Sequence, residues 1–409
     1  MSGLANVTSP PYDVISGGSL AHLRADPHNV VHLILPGEGP GAARAAAGLL
    51  AEWLSDGVLI RDRRPALYLY EQAGSGWRQR GIIGLVRLGT PQSAGILPHE
   101  NVMPGPVAGR RQLMAATQAN LEPIFLVYDG GRQNEEPTAT EIMDRAGDDR
   151  RPLLTIETDD DVAHRLWRLD DPDEYAAIAA DLAGRRALIA DGHHRYAAYL
   201  DLRADMRQAG LGAGPWDYGL AFLVDSAESS PRLGAIHRVL PALPQDRAAE
   251  LAKAAFTVDT LPADTGPAGA LTRLAEAGRD GTAFLLAGPC GYRLLSQPDP
   301  VQVAASMPAG ASAHWRALDA AVLQQLLLGQ LWGIRDNERD VLIYHDATEA
   351  VDAAAACGGT AVIVNPVPFE AVRELAEHGE RVPRKSTSFG PKPLTGLVLR
   401  TFGPPGLAP

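Results

Sequence analysis

The stretch "LIADGHHRYAAYL", Leu188 to Leu200, decides the reading of the chain, because it joins an apolar run to an alanine-rich segment through an aspartate, a glycine, two histidines and an arginine. The run "RALIA" reads as a strand and the residues from His193 or His194 onward as a helix, which leaves Asp191 and Gly192 in the turn between them. Glycine at such a point permits a positive φ or the close approach of a ligand. A helix start offers N–H groups without intrahelical partners and a partial positive charge. With two imidazoles and a guanidinium beside it, the turn suits an anion, most simply a phosphate. The competing reading is an ordinary surface turn, in which Asp191 caps the helix and His193, His194 and Arg195 are solvated. On either reading a surface loop contributes little to a core.

The 409 residues are too many for one hydrophobic core. The expected division is an N-terminal α+β domain over 1–130, a domain over 150–244 carrying the D-G-H-H-R loop, and a C-terminal α/β domain over 245–409. The expected fold class is therefore mixed, α+β with α/β, and holds a strand-turn-helix phosphate loop within a chain of two or three domains. A hydrophobic share of 45% and a charged share of 21% are those of a globular protein. A formal net charge of −12 without long lysine or arginine runs argues against nucleic acid as a partner. The two cysteines, Cys290 and Cys357, lie far apart and outside any C-x-x-C spacing, which argues against a disulfide framework and a cysteine zinc site. No window of about 20 residues is continuously apolar, and the first residues lack a basic-then-apolar leader, so no membrane partner and a cytoplasmic location are expected.

Around the central motif the pattern alternates. "NVVHLILP" (Asn29 to Pro36) reads as a strand and Ala42 to Asp56 as a helix stopped by Gly57. "ALYLYEQ" and "RQRGIIGLVRL" form an expected antiparallel pair, "EPIFLVYD" a further strand, and the polar segment Gly130 to Arg151 a boundary or flexible excursion. "LLTIET", "HRLWRLD", "YGLAFLVD" and "GAIHRVLP" read as strands, with a helix near Asp173 to Ala183. Later, helices over Arg247 to Ala255 and Ala268 to Ala277 alternate with the strands "TAFLLAG" and "YRLLS". A helix over Leu318 to Leu331, strands "DVLIYHD" and "AVIVNP" and a helix near Phe369 to His378 complete the pattern.

Other unusual polar words accompany the loop: "PPYDVIS" (Pro10 to Ser16), "LPHE" (Leu97 to Glu100), "ANLEPIF" (Ala119 to Phe125), "IHRVLP" (Ile236 to Pro241) and "PRKSTSFGPKPLTGLV" (Pro383 to Val398). In this order and spacing they resemble, over essentially the whole chain, the widespread prokaryotic family known as domain of unknown function 1015. That resemblance implies no established activity. The D-G-H-H-R turn is in addition similar to the phosphate-binding box of the ParB and sulfiredoxin superfamily, which includes free-serine kinases that use ADP or ATP. This second resemblance implies that Gly192, His193, His194 and Arg195 hold nucleotide phosphates, with Asp191 near a metal ion or the acceptor hydroxyl. One departure from the first family's pattern stands out. Its threonine, G-P-K lysine and acidic residue after H-E are replaced here by Val102, Val107 and Gly109.

Phosphoryl transfer to a small hydroxyl requires positioning, charge neutralisation and a base. The expected activity is a nucleotide-dependent phosphotransferase, a small-molecule kinase acting on a hydroxylated metabolite such as free serine, with ATP or ADP and Mg2+. Candidate catalytic carboxylates are Glu100, Asp191 and Asp13, with Asp191 also the metal ligand. Arg238 is a further phosphate contact, and Tyr12, His99 and Lys385, the last beside Arg384, are candidate substrate contacts. Two other classes stay open. A non-catalytic nucleotide sensor would keep the phosphate loop without a base. A metal-dependent hydrolase would use His193, His194, His237 and His99 with Asp191, although adjacent histidines on a helix point about 100° apart.

Overall fold

The computed structural model describes residues 3–15, 17–89, 95–132, 136–158, 160–229, 231–337 and 339–403. The chain has a mixed α/β fold and divides into two compact units. The first comprises Met1–Pro98, Val102–Pro231 and Pro391–Pro409, and the second His99–Asn101 with Arg232–Gly390. Sequence reasoning places boundaries at 130–150 and 244, whereas the units divide at 98–102, 231 and 390–391. The difference at 130–150 has a local cause. Residues 139–149 form a helix, Ala139–Asp149, opened by a capping box in which Thr138 and Glu141 satisfy each other's backbone N–H groups. Its residues Ile142, Met143 and Ala146 enter the main core of the first unit, so the segment is packed structure.

That core is built on an eight-stranded sheet. Its strands are β1 (Leu67–Gly74), β2 (Trp77–Arg87), β3 (Ile96–Leu97), β5 (Ile124–Tyr128), β6 (Leu154–Glu157), β7 (Ala163–Leu169), β8 (Ala187–Asp191) and β9 (Tyr218–Asp225), in the order β3-β8-β5-β9-β2-β1-β7-β6. A short strand β4 (Ala119–Asn120) pairs separately with Arg400–Thr401. The expected hairpin is present as β1 and β2, closed by the pair Gly74 and Trp77. Every residue of β5 and β8 is buried, as expected of strands covered on both faces. β2 needs glycine at Gly81, where a Cβ would stand 2.3 Å from the carbonyl oxygen of Leu223 on β9. Leu69, Ile82, Leu126, Ile189 and Leu223 pack with Trp167, Tyr196 and Tyr199.

A smaller core in the same unit holds Val30, Leu33 and Ile34 against Ala46, Leu50 and Trp53 of the helix Ala42–Ser55. Here "NVVHLILP" is a helical turn, Val31–Ile34, and not the expected strand. The Oδ1 of Asn29 accepts the N–H of Val31 at 2.9 Å and starts the turn, and an apolar run this short carries no period that separates the two conformations.

The second unit has a six-stranded antiparallel sheet, made of β11 (His237–Leu240), β12 (Thr257–Thr260), β13 (Phe284–Gly288), β14 (Gly291–Ser296), β15 (Leu342–Tyr344) and β16 (Thr360–Val364), in the order β12-β14-β13-β16-β11-β15. A two-stranded sheet pairs β10 (Arg232–Gly234) with β17 (Ser388–Gly390). The expected helix at Leu318 to Leu331 is the turn Asp319–Val322 continued by a π-helix, Leu323–Leu331. Among the described residues no helix is long and apolar enough to cross a membrane.

Candidate functional site: a buried charge cluster under a glycine turn

The first unit gathers its polar residues where β8 gives way to the helix His193–Gln208. Asp191, the last residue of β8, pairs with Phe125 at an irregularity in the β5–β8 ladder. Gly192 follows with φ 94°, and a Cβ there would meet Arg195 Nε and Ile124 Cγ2, each at 3.1 Å. Both the backbone conformation and the space therefore call for glycine. Among the described residues no side chain caps the helix that begins at His193.

Arg195 is the centre of the cluster and is not on a solvated loop, since its side chain is 4% exposed. It returns along the first helical turn to pair with Asp191, donates from Nη1 to the carbonyl of Pro123 at 2.5 Å, and lies 4.0 Å from Glu122. Its Nε is buried without a hydrogen-bond partner among the described residues. Glu122, equally buried, accepts the backbone N–H of Tyr12 at 3.1 Å and lies 3.6 Å from Arg110. Arg110 stands over the Tyr12 ring at 4.2 Å, and Arg195 over the same ring at 5.8 Å. Lys392, arriving on the last segment of the chain, places Nζ 2.5 Å from Asp191 Oδ1 and 3.1 Å from Asp13 Oδ2. Three carboxylates, Asp13, Glu122 and Asp191, thus face three cations, Arg110, Arg195 and Lys392.

The electrostatics follow from burial and partners. Burial raises the pKa of Glu122 against the opposing pull of Arg195 and Arg110. Asp13 loses solvent too, but the Lys392 ammonium and Arg195 outweigh that and hold its carboxyl below the ordinary range. Desolvation works against the charged form of Lys392, yet Asp191 and Asp13 raise its pKa, and Arg195 is raised in the same way by Glu122 and Asp191. Burial pushes the Tyr12 hydroxyl up to about 12.

Among the predicted site residues, Tyr12, Asp13, Asp191, Gly192 and Arg195 come together here. His193 is buried at the helix start, and His194 Nε2 accepts the N–H of Met103 at 3.1 Å, which leaves the proton of the neutral ring on Nδ1. The others belong to the second unit. There Thr387 donates to Glu100 Oε1 and stands against His99 Nε2, both at 2.9 Å, so His99 donates to Thr387 and the pair orients Glu100. Arg238 is buried and donates to the carbonyls of Ile236, Arg384 and Lys385. Lys385 is exposed and left-handed, φ 53°. His237 Nδ1 accepts the N–H of Val364 and is held neutral by burial, its pKa down at about 4. Among the described residues no group of three or more His, Cys, Asp or Glu is placed to hold a metal ion. Of the three departures, Val107 is core, while Val102 is exposed and Gly109 borders open space.

Glu122, Arg110 and Lys392 were not singled out by sequence reasoning. Glu122 and Lys392 do lie within two of the polar words, "ANLEPIF" and "PRKSTSFGPKPLTGLV". A carboxylate directly before Pro-Ile-Phe, and a lysine between two prolines, were the available signals.

Residues 1–321 match the family described as "Protein of unknown function (DUF1015)". The chain belongs to that family. A comparison with curated proteins finds no match. Among solved structures, the chain is similar to a free serine kinase in complex with AMP, at 15% identity and a TM-score of 0.35, over 76% of this chain and 89% of that one. It is also similar to a conserved hypothetical protein from Pyrococcus furiosus, at 14% identity and a TM-score of 0.34, over 75% of this chain and 90% of that one. A third is SbnI with a C-terminal truncation from Staphylococcus aureus, at 11% identity and a TM-score of 0.36, over 76% and 85% of the two chains. Likeness at this level assigns neither ligand nor reaction to this chain.

Proposed function

We propose that this DUF1015 member binds ATP or ADP and transfers a phosphoryl group to a small hydroxylated metabolite such as free serine. The observation that carries this reading is the uncapped helix start after Gly192, set one residue from a carboxylate that shares an ammonium with a second carboxylate. The amides after Gly192 receive phosphate oxygens, and the carboxylates beside them supply a proton acceptor. Asp191, the last residue of β8, is the residue that would hold a Mg2+ carried by a nucleotide. Bound there, the ion would supply neutralisation of phosphate charge.

The experiment is a thermal-shift panel of ATP, ADP and AMP with and without Mg2+. A ligand at a hundredfold excess over Kd stabilises by about 2.7 kcal/mol, well within detection. Turnover is then followed with serine and other small alcohols for Asp13→Asn, Asp191→Asn and Glu100→Gln. At least one should lose activity by a factor on the order of a hundred to ten thousand without weaker nucleotide binding. Full rate in all three variants, or no turnover by the wild type, removes the kinase reading. A second reading, a nucleotide sensor without turnover, is favoured by the pairing of Arg195 and Lys392 with carboxylates, and nucleotide binding without turnover supports it.

A further inference from the structure

Arg195 and Lys392 both pair with Asp191, and they differ in freedom. Arg195 is fixed by Asp191 and by the Pro123 carbonyl, and its guanidinium fills the space that a side chain at Gly192 would need. Its side chain is 4% exposed, against 20% for Lys392. Around Lys392 it is the backbone that is fixed. The Pro391 carbonyl accepts Gln79 Nε2 at 2.9 Å, the Leu394 N–H donates to the Tyr70 hydroxyl at 3.1 Å, and Thr395 exchanges two backbone hydrogen bonds with Ser9 at 2.8 and 3.1 Å. A flexible four-carbon stem on an immobile backbone lets the ammonium move while its anchor stays.

The two carboxylates also differ. Asp191 retains Arg195 as a direct partner when Lys392 departs, whereas Asp13 keeps Arg195 only as a more distant charge, its close ion pair being with Lys392. Displacing the ammonium therefore leaves Asp191 paired and takes the close cation from Asp13.

We propose that Lys392 is a displaceable counter-ion, which moves from Asp13 and Asp191 to the phosphate oxygens of a bound nucleotide and thereby frees Asp13 to accept the proton of the acceptor hydroxyl. This rests on the phosphotransferase reading and names the acid–base partner within it. In the transfer, the acceptor oxygen forms a bond to the terminal phosphorus of the nucleoside di- or triphosphate. The bond from that phosphorus to its bridging oxygen breaks with the electron pair going to the leaving nucleotide, and the hydroxyl proton passes to Asp13. Lys392 then stands against the negative charge of the phosphates. The proposal reassigns the mobile phosphate contact from Arg195, which is committed to its carboxylates, to Lys392.

The test measures ATP and ADP affinity by titration calorimetry and turnover with serine for wild type, Lys392→Met, Asp13→Asn and the double variant Asp13→Asn/Lys392→Met. Loss of a charged hydrogen bond to phosphate should weaken nucleotide binding by about 10- to 100-fold in Lys392→Met. Asp13→Asn should bind nucleotide several-fold tighter than wild type, because the ammonium no longer has to leave a carboxylate, while losing turnover. A merely structural lysine would not produce that opposite pair of shifts. Should Lys392→Met fail to fold, the double variant removes one carboxylate together with the ammonium and must show the same weakened affinity. Wild-type nucleotide affinity in the lysine variants, or weaker binding in Asp13→Asn, overturns the inference and leaves nucleotide binding standing. A wild-type protein that binds none of the nucleotides overturns both.

Discussion

Two buried arginines, Arg195 and Arg238, follow a histidine in similar sequence words, "GHHRY" and "IHRVL", and meet opposite surroundings. In the first unit Arg195 faces Asp191 and Glu122, and its charged form is reinforced. In the second unit Arg238 is met by backbone carbonyls of Ile236, Arg384 and Lys385, and burial pulls its pKa down to about 10. Carboxylates around a buried guanidinium make a cluster whose members can exchange partners and protons. Carbonyls make a tether. The Arg238 side chain, predicted as a phosphate contact, is spent on holding the turn at Arg384 and Lys385, whereas beside Asp191 the Lys392 side chain is 20% exposed.

The largest effect that would break this comparison is expected from Arg195→Ala. Removing the buried guanidinium leaves Asp191 with Lys392 and Glu122 with Arg110 as remaining cations in a desolvated cluster, at a cost of about 3–5 kcal/mol, read from urea unfolding. A loss under about 1 kcal/mol would mean the cluster is solvated after all. Arg238→Met should cost less, about 2 kcal/mol, for carbonyls left without donors, and should leave nucleotide affinity unchanged. A loss of affinity in that variant would restore Arg238 to a phosphate role.

The acid limb of the stability curve sharpens the same contrast. Asp13 has a folded pKa held below its unfolded value, so its contribution is complete above about pH 4 and is lost as the pH falls through the folded value. Asp13→Asn should flatten that limb by no more than about 1 kcal/mol, because its carboxylate is 36% exposed and screened. Acid titration of the two proteins, followed by circular dichroism, checks it. The smallest effect is expected at Lys385, held left-handed at φ 53°. Lys385→Gly should stabilise by about 0.5 kcal/mol, the relief of strain offset by added freedom in the unfolded chain. In an Arg238→Met background the gain should change, since both act on one turn, and a double-mutant cycle measures it.

What the sequence disclosed, and what it withheld, divides along chain distance. The strand, glycine turn and helix around Asp191 were legible because each rests on neighbours: an apolar run, a residue allowed at positive φ, and helical spacing. The β1–β2 hairpin was legible for the same reason. The capping box at Thr138 and Glu141 was written there too, and the polarity of the surrounding segment concealed it. Glu122 and Lys392 could not be assigned partners, since Lys392 meets Asp13 across 379 positions and Glu122 meets Tyr12 across 110. Nothing in local pattern encodes such pairings. The mistaken strand at Asn29 to Pro36 has a related origin, because the choice was made by Asn29 and by packing on Trp53.

The first unit is interrupted in sequence, leaving at Pro231 and resuming at Pro391. A ribosome therefore releases Asp13, Glu122, Asp191 and Arg195 well before Lys392 exists, and synthesis at about 5–20 residues per second separates those events by roughly ten seconds or more. During that interval the nascent cluster carries an unbalanced carboxylate and lacks the strap that joins Thr395 to Ser9. Maturation of the site is consequently tied to synthesis of the chain through Lys392, and a chain stopped short of it would emerge with its charge cluster unfinished.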